Sequence, residues 1–151
     1  MNATRIERER FDEAVAGIRR EFPDLRIDVT QGHPNYEVMA DIPAQPPRLA
    51  FSVGINLQNH DELHLTASHL WVEWFPCGDE EVFQRFMQAV SGLLSGRYRI
   101  LESFVGRRPV KAALQRPIDH DAWETVACWS DLGILVPWKR TKHVVQNVPS
   151  A

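Results

Sequence analysis

The stretch ELHLTASHLWVEWF, residues 62–75, decides the fold, because it alternates apolar and polar side chains over most of its length. Its apolar positions are odd-numbered up to Ala67 and even-numbered from Leu70 onward, so the alternation slips by one residue at Ser68 and His69. One extra residue in a strand moves every later side chain to the other face of the sheet. The pattern therefore predicts a single long strand that carries a β-bulge.

The predicted bulge also indicates where a functional site lies, since bulges re-aim side chains and are over-represented beside functional sites. The polar side of the run carries a histidine before the slip and a mixed polar and aromatic row after it. Arg99, in the hairpin that follows the second predicted helix, adds a guanidinium group. We take six residues as candidates for a binding site: His64, His69, Trp71, Glu73, Phe75 and Arg99.

Two helices and several further strands surround this run. Apolar residues at helical spacing predict one helix over about residues 5–22 and a second between Asp79 and Gly96. Alternating runs predict strands near residues 25–29, 36–42, 49–57, 97–105, 109–115 and 122–129, and a short edge strand at 134–136. The order predicts an α+β fold, in which an antiparallel sheet of about six to eight strands carries two helices on one face.

The two halves of the chain resemble each other weakly. A shift of 72 positions lays Phe11 on Phe83 and Val38 on Val110. This indicates a duplicated α-β-β-β unit with halves 1–75 and 76–138, although amphipathic helices also align by chance. The 151 residues fit a single domain that ends in a polar tail, residues 139–151.

Composition disfavours several classes of partner. The chain has 17 basic and 20 acidic residues, so no overall field favours nucleic acid or an anionic membrane. The N-terminal residues are polar, and no apolar run approaches the ~20 residues that a membrane span needs. Fourteen of the 17 basic residues are arginine, as in proteins from GC-rich genomes. We expect a cytoplasmic, bacterial protein without a membrane partner.

Common catalytic and metal motifs are absent from the sequence. There is no glycine-rich phosphate loop, no HExxH and no GxSxG. His60 and His64 would stand ~13 Å apart in a strand and could not share a metal there. Cys77 precedes the second helix, where acidic neighbours oppose a thiolate, and Cys128 is expected in the core. We therefore predict no metal and no cofactor.

A basic cluster falls on the hairpin that follows the second helix. Tyr98 and Phe104 are interleaved with it, which is typical of nucleic-acid surfaces. Glu102 and the acidic run at residues 119–124 can neutralise much of the charge, so nucleic acid is a disfavoured partner. The cluster consists of Arg97, Arg99, Arg107, Arg108, Lys111 and Arg116.

The favoured function is non-enzymatic binding of another protein or of a second copy, as in a homodimer. If helices cover only one face of the sheet, Trp71 and Phe75 leave apolar surface on the other, and such surface marks interfaces. If instead the strand is covered on both faces, this surface disappears. The element order is similar to that of small secretion-chaperone-like binding proteins and of some immunity proteins, which implies an adaptor, chaperone-like or immunity-like role.

The alternative is a small-ligand-binding protein or an acid-base enzyme. His64 or His69, together with Glu73 and an arginine such as Arg99, would then line a cleft. Carboxylate, imidazole and guanidinium groups suffice for acid-base chemistry on an anionic substrate. The two functions differ in whether these side chains converge on a concave pocket or spread over an open face.

Overall fold

The computed structural model describes residues 5–131 and 139–147. The helices are α1 (Arg5–Glu21) and α2 (Glu80–Ser95). Nine strands lie in these ranges: β1 (Asp28–His33), β2 (Tyr36–Ile42), β3 (Val53–Gln58), β4 (Glu62–Ala67), β5 (Leu70–Trp74), β6 (Arg99–Val105), β7 (Arg108–Pro117), β8 (Trp123–Ser130) and β9 (Thr141–Val145).

The strands form two antiparallel sheets. The first sheet has the order β1-β2-β3-β4-β5, and the second has the order β8-β7-β6-β9. The α+β class, the antiparallel pairing and the two helices are confirmed. The strands are divided between sheets of five and four, and β5 of the first sheet contacts β7 and β8 of the second.

Residues 62–75 form a hairpin rather than a bulged strand, so the bulge prediction is wrong. Ala67 pairs with Leu70 across a two-residue turn at Ser68 and His69, where Ser68 has a φ of 51°. Every pair joins an odd-numbered residue to an even-numbered one, so the odd-numbered apolar residues of β4 and the even-numbered apolar residues of β5 lie on the same face. The turn thus produces the same change of parity as a bulge. Short hairpin turns favour glycine or asparagine, and this one lacks that signal.

One continuous core joins the helices to both sheets. Helix α1 contributes Phe11 and Ile18, and α2 contributes Phe86 and Leu93, all of them buried. Burying a large apolar side chain contributes about 1.5–3 kcal/mol, so these helix faces hold the layers together. Helix α2 begins where the sequence predicts, since Asp79 Oδ1 accepts a hydrogen bond from the Val82 amide at 3.0 Å.

The same order of elements occurs twice along the chain. A shift of 72 positions carries β1 into β6, β2 into β7 and β3 onto the C-terminal part of β8. The strand neighbours also correspond, because β2 lies between β1 and β3 as β7 lies between β6 and β8. The β4–β5 hairpin belongs to the first half only, and β9 to the second.

The predicted polar tail contains the ninth strand. Strand β9 pairs with β6, while most of its side chains are exposed. Beyond it, the buried Asn147 donates a hydrogen bond to the Leu93 carbonyl at 3.1 Å and accepts one from the Ala50 amide at 2.9 Å. The predicted edge strand at 134–136 lies outside the described residues.

Two helical glycines test the packing of the helices. A Cβ at Gly92 would lie 2.4 Å from the Tyr98 ring, whereas one at Gly17 would meet only the flexible ends of Met87, at 3.0 Å, and of Arg20, at 3.8 Å. Alanine favours a helix over glycine by about 1 kcal/mol, but the clash at Gly92 outweighs this gain. In urea denaturation we expect Gly92→Ala to lower the free energy of unfolding by about 1–3 kcal/mol.

Gly17→Ala is the matched control and should change the free energy of unfolding by no more than about 1 kcal/mol in either direction. Equal stability of the two variants would contradict the close approach of Tyr98 to α2.

Candidate functional site

The candidate site lies on the side of the first sheet that points away from the core. Register places eight residues of β3, β4 and β5 on this side: Gly54, Asn56, Gln58, Glu62, His64, Thr66, Trp71 and Glu73. We call it the outer face. His64 and Glu73 are direct cross-strand partners, as are Thr66 and Trp71.

A chain of hydrogen bonds fixes His64 and Trp71 on the outer face. The Trp71 indole Nε1 donates to His64 Nδ1 at 2.7 Å, and His64 Nε2 lies 2.9 Å from Glu62 Oε2. An indole nitrogen can only donate, so His64 Nδ1 is the acceptor and carries no proton. The proton therefore sits on Nε2 and is donated to Glu62. His64 is a neutral imidazole with both nitrogens engaged.

Glu62 completes this chain at the edge of the face. Asn59 Nδ2 donates to Glu62 Oε2 at 2.9 Å. The hydrogen bond from Asn59 and, after it, the bond to His64 hold the pKa of Glu62 below its ordinary value, against the opposing effect of partial burial. The carboxylate is thus ionised at neutral pH and keeps the proton on His64 Nε2.

The aromatic side chains of this face remain open to solvent. Trp71 is 50% exposed and Phe75, just after β5, is 57% exposed, whereas His64 is only 4% exposed. The indole ring is held by its N–H and yet presents its apolar surface outward. Such a ring loses little conformational freedom when a partner covers it.

His69 lies apart from the outer face, at the tip of the β4–β5 hairpin. Its Nδ1 contacts Glu102 Oε2 on β6, and Ser68 Oγ donates to Glu102 Oε1 at 2.8 Å. The His69 ring packs edge-on against Phe104, which packs edge-on against His143. These contacts join the first sheet to the second.

Glu102 is the residue that sequence reasoning placed wrongly, as a counter-charge for the basic cluster. It is 3% exposed and, like Ile100 two residues before it, occupies an inward-facing position of β6. An acidic residue at an inward position of an alternating strand was the signal that could have revealed it. Ser68 and His69 both bind the carboxylate rather than each other. They therefore do not form the serine-histidine pair that nucleophilic catalysis requires.

Arg99 lies apart from both the outer face and the hairpin tip, on strand β6 of the second sheet. Its guanidinium stands 4.0 Å from the centre of the Trp123 ring, and its Nε donates to Gln115 Oε1 at 2.9 Å. The structure thus brings His64, Trp71 and Glu73 together, and it places His69 and Arg99 in separate surroundings.

The rest of the basic cluster is partly neutralised. Arg108 pairs with Asp131 and Arg116 with Glu124, both at 2.7 Å. The second pair joins the cluster to the acidic run at residues 119–124, as the sequence predicted.

The two cysteines occupy opposite environments. Cys77 is fully buried, and burial, followed by the charges of Glu7 and Asp61, raises the pKa of its thiol to about 11. Cys128 is exposed, so its assignment to the core is wrong. It lies on the edge strand β8, where Trp129 takes the inward position and Cys128 points to the other side.

Comparison of the chain with family models, with curated proteins and with solved structures finds no match. Among the described residues, no helix is both long and apolar enough to cross a membrane. In the same part of the chain, no three His, Cys, Asp or Glu side chains come close enough together to hold a metal ion.

The thiols provide a test of these environments. At pH 8 we expect one thiol per chain to react quickly with Ellman's reagent, and Cys128→Ser should remove that fast phase.

Because the folded pKa of Cys77 lies above its unfolded value, its protonated thiol favours the folded state up to about pH 9, and this contribution is lost as the pH rises through about 11.

Cys77→Ala should flatten that alkaline loss of stability, measured by urea denaturation across the same pH range. Fast reaction of both thiols in the folded wild-type protein would contradict the burial of Cys77.

Proposed function

We propose that this chain is a non-enzymatic protein-binding module that acts through the outer face of the first sheet. The observation that carries the proposal is Trp71, which is half exposed while its indole N–H is held by the buried His64. Tryptophan is enriched among the residues that dominate binding energy at protein interfaces. A ring already fixed in place is suited to that role.

The chemistry of His64 supports binding over turnover. A general base needs a nitrogen that can take a proton from a substrate, and a general acid needs a proton to release to one. His64 accepts from Trp71 at Nδ1 and donates to Glu62 at Nε2. Its imidazole therefore serves to orient Trp71.

The first partner to test is a second copy of this chain, since symmetric dimers are the commonest oligomers. Trp71 and Phe75 would meet the same residues of the other copy across a two-fold axis. We place this association in the cytoplasm, a compartment that the two unpaired cysteines favour. Nucleic acid and membranes remain disfavoured partners.

Sedimentation velocity over a concentration series measures self-association of the untagged protein. We expect a reversible dimer that Trp71→Ala weakens about tenfold or more, because truncation of a central aromatic residue removes at least ~1.4 kcal/mol of binding energy. The dissociation constant of Trp71→Phe should lie between those of the wild type and of Trp71→Ala, because phenylalanine keeps an aromatic ring but lacks the N–H that binds His64.

Ile118→Ala is the matched control, because Ile118 is 65% exposed, lies in the β7–β8 connection and is not one of the residues that form the outer face. It should change the dissociation constant by less than about twofold. A dimer that Trp71→Ala leaves intact contradicts the proposal. A wild-type monomer at millimolar concentration rules out self-association.

A further inference from the structure

Strand β1 is an open edge of the first sheet. Within residues 5–131 and 139–147 it pairs only with β2, and all six of its residues are exposed. An edge strand presents unpaired backbone N–H and C=O groups to which another strand can bind. Proteins blunt such edges with lysine, proline or a covering element. Strand β1 has neither residue, whereas β5 is covered by the second sheet and β9 carries Lys142.

A groove of about 580 Å³ runs between this edge and helix α1. Its apolar lining comes from Phe11, Val15 and Ala16 of α1 and from Val29 of β1. Val29 pairs with Ala40 and so belongs to the helix-facing side of the sheet, yet it is 43% exposed. A strand added beside β1 would place every second side chain in this groove.

The rim of the groove is basic. Arg8, Arg19 and Arg20 line it together with a single acidic residue, Asp12, which pairs with Arg8 at 3.4 Å. Arg19 and Arg20 are exposed and form no ion pair within the described part of the chain. The rim thus keeps two uncompensated positive charges beside an apolar floor.

We propose that this groove binds an extended acidic segment of another protein by β-strand addition to β1. The backbone of the segment would pair with the open edge, and its apolar side chains would cover Val29 and Val15. Carboxylates near the ends of the segment would meet Arg19 and Arg20. A second copy fits this groove poorly, because pairing of two β1 strands would bring two basic helix rims together.

A synthetic peptide tests this proposal without knowledge of the natural partner. The probe is a fluorescein-labelled nonapeptide with the sequence Glu-Thr-Val-Thr-Val-Thr-Val-Thr-Glu, whose alternate positions would face the helix. Fluorescence anisotropy at low salt should show saturable binding that weakens as the salt concentration rises. Replacement of both glutamates by lysine, or N-methylation of alternate backbone amides, should each weaken binding about tenfold or more.

The matched protein variants separate the rim from general charge effects. Arg19→Gln/Arg20→Gln should weaken binding of the acidic peptide about fivefold or more, and the glutamine side chains preserve helix propensity. Arg107→Gln/Arg140→Gln removes the same charge from exposed positions elsewhere and should leave the affinity within about twofold of wild type. Thermal unfolding verifies that each variant is folded.

Amide signals in nuclear magnetic resonance locate the bound peptide. We expect shifts and slowed hydrogen exchange at residues 28–33 and shifts in α1, with β4 and β5 unchanged, which separates this groove from the outer face. Absence of binding at millimolar peptide overturns the proposal, as does equal binding of the lysine peptide or perturbation of the outer face instead. A dimer that Val29→Lys dissociates would also overturn it, by assigning the groove to a second copy.

Discussion

The arrangement of the two sheets depends on a buried carboxylate. Glu102 projects from β6 into the interior, where it contacts Ser68 and His69 at the tip of the β4–β5 hairpin. A buried charge is tolerated only when it is paired and hydrogen-bonded, and removal of one partner typically costs 3–5 kcal/mol. The hairpin tip is therefore held against the second sheet. Because β5 then lies over β7 and β8, its other side is the one that faces solvent.

That constraint determines what the outer face presents. Inward positions of β5 are occupied by Leu70 and Val72, which are buried, so Trp71 alternates outward. His64, directly across from Glu73, lies close enough to accept a hydrogen bond from the Trp71 indole N–H. One hairpin thereby carries both the contact that unites the two sheets and the aromatic surface that we propose as a binding surface. The groove beside β1 lies at the opposite edge of the same sheet and depends on different residues.

Local sequence signals predicted much of this fold. Helical spacing and end residues located both helices, and strand alternation identified most of the buried side chains, because each signal depends on residues close together in the chain. The hairpin was taken for a bulged strand because a bulge and a two-residue turn shift the apolar positions from odd to even numbers in the same way. The usual turn residues are also absent at Ser68 and His69. Glu102 and Cys128 were misplaced because their surroundings depend on which sheet and which face they join. Of the candidate site, the association of His64, Trp71 and Glu73 on one face follows from the hairpin. The separation of Arg99 depends on the division into two sheets.

A neutral His64 that holds Trp71 in place on the outer face is the feature on which the proposed function depends. The ¹⁵N chemical shifts of the His64 ring, recorded at neutral pH together with exchange of the Trp71 indole proton, test it most directly. The structure predicts a proton on Nε2, an unprotonated Nδ1 and an indole proton that exchanges slowly with water. A proton on Nδ1, or an indole proton that exchanges as fast as in an unfolded chain, would contradict the claim.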